Sequence, residues 1–162
     1  ASIRRSDGDG AQRHRSIEGA RVDGVITQDF IRLNFPASYR YLSIIGPCLS
    51  IILEGVNAPI ATDLPGALEL AIHETCVNIV QHAYRGGHGS IQLELSIASD
   101  PLRLVVDLYD TGQSFDLSEV SEPPLDEPQV RGYGLFLIRQ LMDDVSYHSN
   151  TEHNHWRLIK YL

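Results

Sequence analysis

The order of hydrophobic periodicities along this chain predicts an α+β fold: a two-layer α/β sandwich with helices on one face of a mixed, mostly antiparallel sheet. Three observations lead there. Two period-two runs, 90–97 and 102–109, flank Asp100-Pro101 and read as a hairpin. Two helical runs, 38–56 and 64–84, stand together ahead of that hairpin. A third helix from Gly134 to Asp143 and two strand signals, 145–149 and 155–161, complete the order β-α-α-β-β-lid-α-β-β.

Each element has a local reason. Phe30 to Phe35 alternates apolar and polar residues, and Pro36 ends the run. Ser38 to Val56 reads as a helix with Gly46-Pro47 as a kink or early break. After the loop Asn57-Ala58-Pro59, Thr62 or Asp63 can cap the second helix, whose first turn tolerates Pro65. Gly86-Gly87, with Gly89 close behind, stops it. In the hairpin Ile91, Leu93, Leu95 and Ile97 point inward. Residues 113–131 mix five acidic residues with Pro123, Pro124 and Pro128, and a loop of that length reads as a functional lid.

A chain of 162 residues, 43% hydrophobic, suits one domain with a sizeable core. Residues 1–24 read as a flexible N-terminal tail and 25–162 as the domain. The apolar stretch Ile44 to Val56 is too short and too interrupted to cross a membrane, and no signal-peptide pattern opens the chain. Cys48 and Cys76 fall in apolar helical patterns and read as packed thiols without a disulfide, as in a reduced, cytoplasmic protein. A net charge of -8 argues against nucleic acid and for protein partners, or for a ligand whose negative charge is carried by a metal. His148, His153, His155 and Glu152 do not complete a zinc set.

The chemistry concentrates at three places. Glu74 and Asn78 lie four apart on the second helix, with Gln81, His82 and Arg85 near their stripe. That stripe borders the apolar arc Leu68, Ala71, Ile72, Thr75, Cys76, Ile79 and Ala83. A carboxylate and a carboxamide there can orient a hydroxyl and hold a hard cation. Asp110-Thr111-Gly112 follows a strand: the carboxylate can accept from an exocyclic amine, and the glycine admits a flat ring. Arg131-Gly132-Tyr133-Gly134-Leu135 can offer backbone N–H groups to phosphate at a helix start. Alone, each has an ordinary explanation: a solvent-side polar pair, an Asx turn, a loop-to-helix turn. No dinucleotide fingerprint and no P-loop is present.

In combination these motifs resemble the GHKL ATPases, and "HETCVNIVQHAY" and "GYGLFLIRQLMDDV" resemble the anti-sigma factor serine/threonine kinases, a stand-alone branch of the histidine-kinase-like ATPase domains. The resemblance covers about residues 28–162 and implies a Bergerat-type ATP-binding fold with an ATP lid, using ATP and Mg2+. It implies Glu74 as general base toward a serine hydroxyl, and Asn78 as the Mg2+ ligand. Asp110 would read adenine, Gly112 lie beneath the ring, and Gly132 and Gly134 hinge the lid. Arg131 is the candidate for a γ-phosphate contact. His82 either packs at the helix end or hydrogen-bonds near the phosphates. The implied partner is an anti-anti-sigma (STAS-domain) protein substrate, with a sigma factor as a second partner and a homodimer through the face of residues 30–41. The chain departs from the family at Gln113-Ser114-Phe115 and at Glu152 to Trp156, where relatives carry glycines. A competing reading is an ATP-binding module that sequesters a partner without kinase activity, against which the intact Glu74 argues. A histidine-kinase catalytic fragment falls behind, because the tail before Phe30 is too short and polar for a phosphoacceptor helix pair.

Overall fold

The computed structural model describes residues 21–22, 25–114 and 133–162, with side chains from Asp29 onward. Strands β1 (Arg21–Val22), β2 (Val25–Pro36), β3 (Ser90–Ser99), β4 (Leu102–Asp110), β5 (Asp144–Ser149) and β6 (Asn154–Tyr161) form one sheet in the order β1-β2-β3-β4-β6-β5. Every neighbouring pair is antiparallel. Helices α1 (Ile45–Glu54), α2 (Leu64–Asn78) and α3 (Tyr133–Leu141) cover one face.

Alternation explains which face. Ile91, Leu93, Leu95 and Ile97 of β3, Leu104, Val106 and Leu108 of β4, and Trp156 and Leu158 of β6 share one buried cluster with Ile45, Leu49, Leu68, Ile72, Leu135 and Ile138 of the helices. The opposite residues of β4 and β6 (Asp107, Tyr109, His155, Arg157) carry polar groups on the helix-free face. The arc expected on α2 is buried from Leu68 through Ile79, with Ala83 at its margin.

Four local features differ from the sequence expectation. First, β2 starts at Val25, well before Phe30, because β3 recruits it: Thr27 pairs with Ala98 across a bulge before Asp29. Arg21 and Val22, read as tail, pair with Ile26 and Val25, while residues 1–20 lie outside the described residues. Second, the run 38–56 divides into a 3-10 segment, Tyr39–Ile44, and α1. Pro47 cannot donate to the carbonyl four residues back, and the turn ahead of it closes with tighter bonds such as Ile45 N–H to Leu42 O.

Third, Asp63 occupies the position before α2 without a capping side-chain bond, so neither Thr62 nor Asp63 acts as the expected cap. Its backbone is already helical (φ -86, ψ -16), whereas a capping side chain reaches the first turn from an extended backbone. Fourth, α2 gives way after Asn78 to a π turn, Ile79–Ala83, in which Tyr84 N–H donates to Ile79 O at 3.2 Å. Arg85 (φ 50) and Gly86 (φ 77) then end the helix in left-handed backbone.

Both cysteines are free thiols, and burial pushes Cys76 up to about 12. Among the described residues no helix is long and apolar enough to cross a membrane. Among them no group of three metal-ligating side chains gathers, and His155 is instead bound to Asp107 at 2.6 Å.

Candidate functional site

Two clusters meet at the C-terminal half of α2. The first holds Glu74 and Asn78. Glu74 is about a quarter exposed, and among the described residues the basic group recorded beside it is His73 Nδ1 at 3.9 Å, too far for a hydrogen bond. Gly134, in the first turn of α3, packs directly on the pair. A Cβ at that position would lie 3.0 Å from Glu74 Oε2 and 3.5 Å from Asn78 Oδ1. The glycine thus lets the start of α3 approach the edge of α2 that carries Glu74 and Asn78.

The second cluster is the turn after β4. Asp110 is 3% exposed. Its Oδ1 accepts from Gly112 N–H at 2.9 Å and from Asn154 Nδ2 at 2.8 Å, so Oδ2 carries neither bond. Burial pushes the Asp110 carboxyl above the usual carboxylate range, and these two neutral donors offset part of that rise. Gly112 is held against the end of α2: Gln113 N–H donates to Ala83 O at 2.8 Å, and a Cβ on Gly112 would fall 2.6 Å from that oxygen. A glycine is therefore required here by backbone packing as well as by any ring that lies on it.

Asn78, Ile79, His82, Ala83, Asp110, Gln113, Tyr147, Asn154 and Trp156 line one narrow cleft between α2 and the sheet. Its internal room is about 10 Å³, near that of one water. The π turn shapes this wall, since its extra residue per turn brings both His82 and Ala83 to the cleft. The structure thus brings Asn78, His82, Asp110 and Gly112 together, with Glu74 and Gly134 adjoining. Gln81 and Arg85 are exposed and line no part of the cleft. Arg131, Gly132 and the lid from residue 115 on lie outside the described residues.

Sequence reasoning missed four contributors. Asn154, the first residue of β6, faces Asp110 in register. Trp156 and Tyr147, tilted together with ring centroids 4.7 Å apart, line the same cleft. Tyr84 closes the HAY motif: its hydroxyl donates to Ser90 O at 2.9 Å and accepts from Thr111 N–H at 3.0 Å, tying the turn to β3. Gly89 makes space for that ring, which a Cβ there would strike. Antiparallel pairing of the last strand with β4, traced from Asp110, would have found Asn154; nothing in the spacing flags Tyr84.

Glu74 and Asn78 are one helical turn apart on α2, and Asn78 shares its cleft with the buried Asp110. The family model "Histidine kinase-like ATPase domain" matches residues 39–160. The chain belongs to this family. Within the histidine kinase-like ATPases it is 33% identical over 123 residues to the serine-protein kinase RsbW of Bacillus cereus (strain ZK / E33L), covering 71% of this chain and 74% of the relative. It is 32% identical over 134 residues to the serine-protein kinase RsbW of Staphylococcus aureus (strain JH9), covering 76% and 82%. Two solved structures share the fold. The RsbU and RsbW domains of Rv1364c from Mycobacterium tuberculosis superpose with a TM-score of 0.59 at 17% identity, covering 83% of this chain and 32% of that one. The histidine kinase domain of the Erythrobacter litoralis EL346 blue-light activated kinase gives 0.51 at 20% identity, covering 76% and 60%. The α+β sandwich expected from the sequence is the fold of this histidine kinase-like family.

Proposed function

We propose that this chain is an ATP-dependent serine/threonine-protein kinase acting as a cytoplasmic anti-sigma factor, with an anti-anti-sigma (STAS-domain) protein as its phosphorylated partner. The observation that carries the reading is Glu74: a part-exposed carboxylate with no cation partner in hydrogen-bond range among the described residues, one helical turn from Asn78 and against Gly134. Its likeness to the RsbW serine-protein kinases supports it. A module that merely sequestered a partner would not need that carboxylate, so the kinase reading stands ahead of pure binding.

Adenine enters between α2 and the sheet, and its amine donates to Asp110 Oδ2. The donor set fits Mg2+: this cation keeps several waters and takes phosphate oxygens, so a single amide oxygen from Asn78 suffices, and no cage of acids is needed. When bound, Mg2+ offsets phosphate charge, which matters in a chain of net charge -8. Glu74 holds the partner's serine hydroxyl in line and accepts its proton as the serine oxygen bonds to the γ-phosphorus and the bond to the ADP oxygen breaks. Positioning and charge compensation supply most of the rate in such transfers. Residues Gly132 and Arg131 would complete the phosphate cradle. The exposed Tyr39 and Tyr41 support a homodimer or a sigma-factor contact at the face of residues 30–41.

Intact-mass detection of phosphate on a candidate anti-anti-sigma protein, after incubation with this chain and Mg-ATP, tests the reading. Phosphoserine that disappears with Glu74→Ala, while ATP still binds, is the expected result. Undiminished transfer by that variant would sink the general-base role, and complex formation with bound ATP but no transfer would favour the sequestering module.

A further inference from the structure

We infer that Asn154 is a positioning residue that sets base selectivity, by turning Asp110 so that one carboxylate oxygen is left to accept from the adenine amine. The inference rests on the nucleotide reading above and deepens it.

Three observations combine. Asn154 is 3% exposed, and a buried carboxamide must have its N–H groups satisfied. Its amide nitrogen donates twice to the same turn, to Asp110 Oδ1 at 2.8 Å and to Gly112 O at 3.1 Å. Gly112 N–H also donates to Oδ1, so both bonds to the carboxylate fall on one oxygen. A carboxylate pinned at Oδ1 by two donors cannot rotate its plane freely, and Oδ2 keeps one direction.

Asn154 and Asp110 also line the same cleft, and Trp156, two residues on, shares the inward face of β6. Asn154 is thus built into the cleft floor. An amide there does what a glycine cannot: it donates to Asp110 and to the backbone carbonyl of the turn. It also does what an aspartate cannot, since a carboxylate would face another acceptor at 2.8 Å.

The consequence is selectivity. Adenine presents an amine to Oδ2, whereas hypoxanthine presents a carbonyl that meets an acceptor. A site that hydrogen-bonds a ligand N–H rejects the analogue lacking it, because the buried acceptor is left unpaired. Loosening Asp110 weakens that distinction more than it weakens the grip on the triphosphate.

Calorimetric affinities for ATP and for inosine triphosphate, both with Mg2+, provide the test on wild type, Asn154→Leu, Asn154→Asp and Asp110→Ala. Each Asn154 variant is close in size to asparagine, and thermal melting reports whether it folds. The expected result is a roughly tenfold loss of ATP affinity in both, with inosine triphosphate affinity little changed, so the preference collapses. An unchanged preference, or parallel loss of both nucleotides, would overturn the role of Asn154. If Asn154→Leu fails to fold, the isosteric Asn154→Asp alone decides it by the same ratio. Wild-type ATP affinity in Asp110→Ala would instead overturn the nucleotide reading, leaving the two failures distinct.

Discussion

Asp107 and Asp110 lie on one strand, three residues apart, and are both 3% exposed, yet they are opposites. Asp107 points to the helix-free face. There its Oδ1 meets His155 Nε2 at 2.6 Å and Arg157 Nε at 2.7 Å, and its Oδ2 meets another Arg157 nitrogen at 3.2 Å. Burial pushes its carboxyl up, but the hydrogen bonds and charges of His155 and Arg157 outweigh that and hold it below the usual range. Asp110 points to the helix side and receives neutral donors only, so burial wins and its carboxyl rises. A fully compensated buried charge holds strands together. An undercompensated one is poised for a donor that arrives with a ligand, and perturbed carboxyls of this kind mark functional sites.

The strongest way to break the contrast is at Asp110. Asp110→Ala should lower ATP affinity by roughly a hundredfold in a binding titration, since it removes the only charged acceptor among the described residues of the cleft. Asp110→Asn should lose adenine recognition too, yet its amide oxygen can keep both Oδ1 bonds. Its melting temperature at neutral pH should equal or exceed that of wild type. The sign follows from the raised carboxyl: ionising it disfavours the folded state, and that penalty fades as pH falls through its folded value. The gap between the two proteins should therefore close on acidification, and a wider gap in acid would contradict the assignment.

At Asp107 the sign reverses. Its lowered carboxyl contributes stability that is fully present above the ordinary carboxylate range and is lost as pH falls through the folded value. Asp107→Ala should cost about 3 kcal/mol in denaturant unfolding, because it removes the buried carboxylate that Arg157 and His155 both bind. ATP affinity should hardly move in the fraction that folds. Equal damage to binding would mean that the two faces of β4 are not independent.

Gly134→Ala sharpens the boundary of the site. Alanine suits the helix, so stability should hold, while the methyl at 3.0 Å displaces the Glu74 carboxylate. Phosphate transfer should fall about tenfold at unchanged ATP affinity, since misplacement of that order is costly to an aligned attack. The smallest effect belongs to Arg32→Ala. It breaks a 2.8 Å pair with Glu94 whose arginine is 60% exposed, and should change stability by about 0.5 kcal/mol or less.

What was legible in the sequence follows the same divide. Period-two runs revealed β3 and β4, and the buried arc of α2 was read residue by residue, because burial writes itself into alternation. Glu74, Asn78 and Asp110 were visible because their spacing is local. Asn154 was not, since its role exists only once β6 is paired with β4, and Asn154 and Asp110 are 44 residues apart. The 3-10 entry to α1 and the missing cap on α2 were hidden for another reason: both depend on backbone angles that side-chain chemistry merely biases.

The π turn after Asn78 bears on how this helix can change over time. A turn of that kind holds one residue more than a regular helix would, so the segment before it and the segment after it are out of phase. Shortening the chain by one residue between Ile79 and Ala83 would regularise the helix and rotate everything downstream by roughly a third of a revolution. Tyr84 would leave Ser90 and Thr111, and Ala83 would leave Gln113. Point substitutions along this stretch can be explored singly, but its length is locked to the hairpin it serves, and descendants of this protein should vary in letters there and not in count.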